Sequence, residues 1–354
     1  MHKEPSIFRR ILIVQTAFIG DVILITPLIR AVHELYPDAL IDVMVVPAAA
    51  GLLRNNPHIH EIIKFDKHGS HFSFIRCAIA LRKAHYDLVI SPHSSFTTHL
   101  MLRLSSAPIR IGYKRGFLSE FLMTDRVVHP KGIHKINKNL SMLKLLSDKE
   151  FPMQTELFPG EDDRSKADAL LAELGSPEKT LIAIAPGSIW ATKCWNLDYY
   201  KQLTLSLLNA GYRILMTGGD SDKDRCAAIL DHVRRINPDF PIMNTAGRSG
   251  LLTSAALIDQ AELLICNDSG ALHIGNAMRT RVFAFFGPTV QRIGYYPFRE
   301  GDIVFETDLE CRPCGSHGGN RCPLGHHNCM NLITPDKVLE KALKALNFEG
   351  TPHE

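Results

Sequence analysis

The sequence predicts an α/β protein built of two doubly wound, mostly parallel sheets. Three observations predict it. Short, near-continuous apolar runs alternate with longer stretches of helical spacing, the alternation occurs twice, and a polar connector separates the two occurrences. The length of 354 residues agrees, being too long for one ordinary core and suited to two domains of common size.

In the first half, strands are expected at Ile11–Gln15, Ile41–Val46, Ile62–Phe65, Leu88–Ser91 and Arg110–Gly112, with helices at about 22–36, 72–84 and 137–147. Pro27 falls inside the first of these helices and should kink it or delay its start. Residues 151–179 change character. Pro152, Pro159, Gly160, Glu161 and Asp162 make a polar connector, and a short helix ends at Gly175-Ser176-Pro177. Strands then resume at Leu181–Ala185, Arg213–Thr217, Leu263–Cys266 and Val282–Phe286, with helices near 197–210, 221–236 and 270–279. This places the domains at residues 1–160 and 161–354. Ligands of such sheets lie beyond the carboxyl ends of the strands, so two facing sheets predict a shared cleft. No internal repeat of 20–50 residues and no low-complexity tract is present.

Hydrophobic content of 45% and charged content of 22% exclude wholesale disorder. The net charge of +3 conceals an asymmetry. Residues 1–150 hold 20 Lys+Arg against 12 Asp+Glu, whereas residues 151–354 hold 20 against 25. A basic first half calls for an anionic partner. Lys3, Arg9 and Arg10 ahead of Ile11–Val14 superficially resemble a signal peptide, but Gln15 ends the apolar run and Asp21 interrupts the next one. No stretch approaches the roughly 18 apolar residues of a membrane span, and a cytoplasmic protein is expected. Four scattered cysteines (Cys77, Cys194, Cys226, Cys266) read as buried thiols of a reducing compartment.

Three segments carry the chemistry. From Ile11 to Pro27 a strand ends near Gln15, turns at Gly20 and enters a helix at about Asp21, so this carboxylate stands at the ligand edge of its sheet. It is either a helix cap or a functional group. The segment lacks GxGxxG, which argues against a dinucleotide-dependent oxidoreductase. From Ala185 to Trp195 a strand runs into Pro186-Gly187-Ser188, then Lys193, offering close backbone approach, a hydroxyl and a mobile cation to phosphate oxygens. The bland reading is a Pro-Gly turn with a solvated lysine. From Cys266 to Gly287, the residues Asp268, Ser269 and Gly270 open a helix whose free N–H groups attract anions, with His273 one turn inside. The alternative makes Asp268 and Ser269 simple caps and His273 a core histidine.

A fourth cluster is C-x₂-C-x₇-C-x₆-C, comprising Cys311, Cys314, Cys322 and Cys329, interleaved with His317, His326 and His327. Four thiolates suit a structural zinc or an iron–sulfur centre, and a Gly- and Pro-rich loop with little apolar content needs a staple. Reduced thiols or a disulfide in a surface flap are the alternative. No metal is expected in catalysis.

Together, the Ile-Gly-Asp opening, the Pro-Gly-Ser…Lys-x-Trp loop and Asn-Asp-Ser-Gly-x-x-His followed by Phe-Gly-Pro-Thr resemble the ADP-heptose:lipopolysaccharide heptosyltransferases of glycosyltransferase family 9. The resemblance spans most of the chain. It implies a GT-B architecture of two Rossmann-like domains, the first for acceptor and the second for nucleotide sugar. It also implies metal-independent, inverting transfer of heptose from ADP-heptose to the inner core of lipopolysaccharide. Carried over by residue, Asp21 is the general base, Lys193 contacts the donor diphosphate, and Ser188, Asp268, Ser269, Gly270 and His273 line the donor site. Asp268 is expected on sugar or ribose hydroxyls, with the N–H groups of Ser269 and Gly270 on phosphate.

The basic first half then gains a partner. Arg103, Arg110, Lys114, Arg115, Arg126, Lys131, Lys135 and Lys138 face only Glu120 and Asp125 in that stretch. Arg110, Lys114 and Arg115 are the expected contacts to the acceptor's carboxylates and phosphates. Peripheral contact with the inner membrane fits such an acceptor, and no nucleic-acid module is evident. Three rivals remain: a relative with another donor or acceptor, a nucleotide-sugar epimerase on a similar scaffold, and a non-catalytic nucleotide- or metal-binding protein.

Overall fold

The computed structural model describes residues 8–66, 69–114 and 121–347. The chain divides into two compact units, Met1–Phe158 and Pro159–Glu354.

In the first unit, β1 (Arg10–Gln15) leads through a short turn into α1 (Ile19–Ile23), and α2 comes next at Thr26–Leu35. The single helix expected over 22–36 is thus two. Pro27 occupies the first turn of α2, where its missing N–H costs nothing, so it delays the start. The unit continues with β2 (Leu40–Val45), β3 (Glu61–Lys64), α3 (His71–Lys83), β4 (Leu88–Ser91), α4 (Phe96–Leu104), β5 (Ile109–Tyr113), β6 (Asp125–Val127) and α5 (Lys135–Leu140). The strands form one parallel sheet in the order β3-β2-β1-β4-β5-β6. Ile11, Leu12, Ile13 and Val14 of the central strand are fully buried.

The second unit holds α6 (Glu161–Leu174), β7 (Leu181–Ala185), α7 (Leu197–Asn209), β8 (Arg213–Met216), α8 (Lys223–Ile236), β9 (Ile242–Asn244), α9 (Leu251–Asp259), β10 (Leu263–Asn267), α10 (Gly270–Ala277), β11 (Arg281–Phe286), β12 (Ile303–Glu306), α11 (Asn328–Asn331) and α12 (Pro335–Asn347). Its sheet is also parallel, ordered β12-β11-β10-β7-β8-β9. Numbered from its own first strand, this is the same winding as in the first unit. In each sheet the strand order reverses beside the first strand, between β1 and β4 and between β7 and β10. Such a switch point opens a crevice at the carboxyl ends of the strands. All three segments singled out in the sequence leave strands at these ends.

Candidate active site

In the first unit, the turn after β1 delivers Asp21 into the first turn of α1. The N-cap of that helix is Phe18, so Asp21 stands in the first turn and not at the cap position. The carboxylate is half-buried. Near it stands Lys135, the first residue of α5, whose ammonium also lies 5.8 Å from the centre of the Tyr113 ring. Burial pulls the Lys135 pKa down, the Asp21 charge opposes that shift, and Lys138 adds to it. Lys135 and Lys138 are both buried. Charged groups of this kind are withdrawn from water only where something compensates them.

The basic stretch is therefore not an ordinary solvated face, and its members divide. Arg110 is buried, and its guanidinium donates to the carbonyls of Ala107 and Leu122 (Nε to Leu122 at 3.0 Å). Burial, then the charge of Arg103, lowers its pKa. Arg110 therefore ties Ala107 to Leu122 through their carbonyls, a structural duty beside the acceptor contact expected of it. Lys114 is exposed at the end of β5. Arg115 lies outside the described residues.

In the second unit, the loops after β7 and β10 converge. Asn267, fully buried at the end of β10, knots them together. Its Nδ2 donates to the carbonyls of Pro186 (2.8 Å) and Gly187 (3.1 Å), and its Oδ1 accepts from Trp195 N–H (2.9 Å) and the Tyr200 hydroxyl (3.1 Å). Trp195 stacks on Phe285 at 4.3 Å between ring centres and donates its indole N–H to the Ile333 carbonyl at 2.8 Å. Gly187 is required where it stands, since a Cβ there would meet Asp222 Oδ1 at 1.9 Å.

On this platform the short Ala191–Lys193 turn points Lys193 at Asp268. Nζ lies 2.7 Å from Oδ2, with side-chain exposures of only 13% and 7%. The same Oδ2 accepts the Thr289 hydroxyl at 2.7 Å. Lys193 is thus a pinned cation, not a mobile one, and Asp268 is first its counter-ion. Asp268 thus already holds two partners through Oδ2, beside the sugar or ribose hydroxyls expected of it. Ser269 is the N-cap residue of α10, yet its side chain makes no capping bond. Neither residue is the simple cap of the alternative reading. The N–H groups that open α10 therefore lie next to a buried lysine, a pairing suited to phosphate oxygens. Ser188 sits in the adjoining loop, where its hydroxyl accepts Trp190 N–H at 3.4 Å. His273 is buried, 6.2 Å from the Tyr295 ring centre in an edge contact.

Lys135, Asn267 and Thr289 stand beside the expected site residues, and sequence reasoning does not single them out. Asn267 and Thr289 lie within the recognisable motifs, whereas Lys135 is merely one of eight cations. The scattered cysteines Cys194, Cys226 and Cys266 are buried as expected, while Cys77 is half-exposed. Around the cysteine loop, burial pushes the Cys329 thiol up to about 11. The Cys322 thiol falls below its ordinary value because backbone N–H groups of His327, Leu324, Gly325 and His326 face the sulfur. Among the described residues, the one preformed trio of metal-ligating type is Asp42, His60 and Glu61. Asp42 there already accepts from Arg10, Tyr86 and His60, so the trio is an ion-pair knot.

Two parallel sheets wound in the same order, each with a switch point at the carboxyl ends of its strands, make up the two Rossmann-like halves of the GT-B architecture. The model for glycosyltransferase family 9 (heptosyltransferase) matches residues 74–321. The chain belongs to that family. It is 30% identical to lipopolysaccharide heptosyltransferase 3 of Escherichia coli K12, over 81% of this chain and 84% of that one. The structure of a family 9 glycosyltransferase from Veillonella parvula superposes with a TM-score of 0.85 at 22% identity, covering 98% and 99% of the two chains. That of E. coli ADP-heptose lps heptosyltransferase II does so at 0.79 and 23%, covering 97% and 100%.

Proposed function

We propose that this enzyme transfers heptose from ADP-heptose to the inner core of lipopolysaccharide with inversion at the anomeric carbon. Asp21 is the general base. It takes the proton of the acceptor hydroxyl as that oxygen attacks the anomeric carbon, opposite the departing diphosphate. Lys193 and the N–H groups of Ser269 and Gly270 receive the negative charge that develops on ADP as the glycosidic bond breaks. Asp268 and Thr289 hold Lys193 at that position before donor arrives. His273 and Ser188 shape the pocket wall. The first unit serves the acceptor and the second the nucleotide sugar, and the reaction requires Asp21 and Lys193 to meet at one sugar. The donor and acceptor named for the E. coli relatives support this reading. The observation that carries it is the buried Lys193–Asp268 pair at the opening of α10.

The acceptor's carboxylates and phosphates fall to Lys114, Arg115 and the buried pair Lys135 and Lys138. Peripheral membrane contact has support in α3. Phe72, Ile75 and Ile79 recur at helical spacing and are 73%, 54% and 51% exposed, with Arg76, Arg82 and Lys83 on the same helix. No helix among the described residues is long and apolar enough to cross a membrane.

The test is ADP release from ADP-heptose with and without heptose-deficient lipopolysaccharide, EDTA being present throughout. Acceptor-dependent release is expected. Isomerisation of the sugar without acceptor would mark an epimerase instead, and release that EDTA abolishes and that magnesium, but not zinc, restores would sink the metal-free mechanism.

A further inference from the structure

The loop between β12 and α11 has no regular structure and takes no part in the proposed reaction, yet it grips both sides of the Lys193–Asp268 pair. At one end, the Arg312 guanidinium donates to the carbonyls of Phe286 (2.8 Å), Gly287, Thr289 (2.8 Å) and Thr307, and reaches Glu306 at 3.0 Å. Cys314 N–H donates to the Pro288 carbonyl at 2.9 Å. These bonds fix the segment that presents Thr289 to Asp268. At the other end, Thr192 N–H and Oγ1 both reach the Gly319 carbonyl, at 3.0 and 2.9 Å. Gly319 N–H returns a bond to Thr192 Oγ1 at 2.8 Å, and His327 Nε2 lies 2.8 Å from the Thr192 carbonyl. Gly318 lies so close beneath the lysine turn that a Cβ there would meet Trp190 Cβ at 2.6 Å and Lys193 Cγ at 2.9 Å.

What keeps such a loop in one shape? It contributes few apolar side chains, and its bonds run outward to the site. At its centre is a cavity of about 100 Å³ lined by Cys314, Cys322, Cys329, His317, His327 and Arg321, among others. Cys311 belongs to the same cluster, since its sulfur is near enough to influence those of Cys314 and Cys329. Backbone N–H groups of residues 324–327 face the Cys322 sulfur, an arrangement that suits a metal-bound thiolate.

We propose that Cys311, Cys314, Cys322 and Cys329 hold a single thiophilic divalent ion, zinc or ferrous iron, and that the filled loop is the brace that sets Lys193 and Thr289 for the donor diphosphate. The four thiols give up their protons to solvent as four metal–sulfur bonds form, and no electron is transferred. Arg312 and Arg321 lie where they offset the surplus negative charge. Among the described residues no three of these thiols stand within 4.8 Å of one another, so the ion draws the loop inward. Gly315 and Gly325, outside the anchored stretch, supply the slack. The ion is structural and touches neither substrate.

The brace rests on reading the Lys193 pocket as the diphosphate site, whereas the metal site does not, and the measurements separate the two. Elemental analysis of the purified full chain should find about one zinc or iron per chain without acid-labile sulfide. Protein stripped by chelator and titrated with cobalt(II) should show thiolate-to-cobalt charge transfer and tetrahedral d–d absorption. Both signals should vanish in Cys314→Ser/Cys322→Ser and persist in Cys77→Ser. Absence of metal together with absence of the cobalt spectrum would overturn the site, and stoichiometric labile sulfide would overturn the single ion. By calorimetry, ADP affinity should fall roughly ten- to hundredfold on stripping and return with zinc. Thr192→Val should keep the metal and lose ADP affinity to a similar degree. Unchanged ADP affinity in the stripped protein would overturn the brace. If the loaded wild-type chain failed to bind ADP, the donor-pocket reading and the brace would both fall, while the metal measurements would still decide the site.

Discussion

Each unit sets a lysine against an aspartate at the crevice of its sheet, and the two pairs are built in opposite senses. In the first unit the lysine is the buried partner and the carboxylate of Asp21 is the accessible one. In the second, Asp268 is the more buried partner and the ammonium of Lys193 is the more exposed. The outward group in each case is the one the proposed chemistry needs, a base in one unit and a cation for a leaving phosphate in the other. In the second unit the inward Asp268 holds Lys193 in position. A buried ion pair is an uncertain source of stability, so placement is the better explanation for this pair.

This contrast can be broken by substitution, and the largest effect falls on the outward carboxylate. Asp21→Asn should lower kcat by about 10³-fold or more while ADP affinity stays within a few fold. Collapse of donor binding in that variant would make Asp21 structural. Next comes Asp268→Asn, which leaves Lys193 without its counter-ion while an amide oxygen can still accept from Thr289. Such an unpaired buried charge costs about 3–5 kcal/mol, so the melting temperature and ADP affinity should fall together. Lys193→Ala should weaken ADP binding by roughly ten- to hundredfold with a smaller change in stability. Equal affinity for ADP would remove Lys193 from the donor site.

Lys135→Met sharpens the comparison from the other side. It should cut turnover about tenfold yet leave the protein no less stable, because a desolvated charge is replaced by an apolar side chain of similar length. The sign of the pH dependence checks this. Burial holds the folded Lys135 pKa below its ordinary 10.5, so the unfolded chain keeps the proton to higher pH. Stability contributed by this group therefore rises with pH between the folded value and 10.5. That rise should disappear in Lys135→Met when unfolding is followed by urea titration at alkaline pH. Ser188→Ala should have the smallest effect, under about threefold in KM for the donor, since loss of one long hydrogen bond leaves the loop's other ties intact.

The centre of each sheet was legible because β1, β4, β7, β10 and β11 are buried on both faces and so read as unbroken apolar runs. The edges were not. β6, β9 and β12 span three or four half-exposed residues each and present no such run. α9 is buried nearly all round, so its sequence lacks the polar stripe that marks a surface helix. α12 was missed for no such reason, since Val338, Leu339, Ala342 and Leu346 repeat at helical spacing. At the site, the strand-to-helix junctions pointed to Asp21, Lys193 and Asp268. What local sequence does not carry is which partner each would take. The Lys193–Asp268 and Lys135–Asp21 pairings join residues far apart in the chain, and composition alone counted Arg110 and Lys135 as equals.

The chain has two tryptophans, and they flank the donor lysine. Trp195 is sealed against Phe285, while Trp190 is partly open to water beside Gly318. The tryptophan emission of the whole protein therefore originates within a few residues of where ADP is proposed to sit. Excited selectively over tyrosine, it opens binding at that one loop to optical titration on the unlabelled enzyme, without tryptophan signal from the first unit.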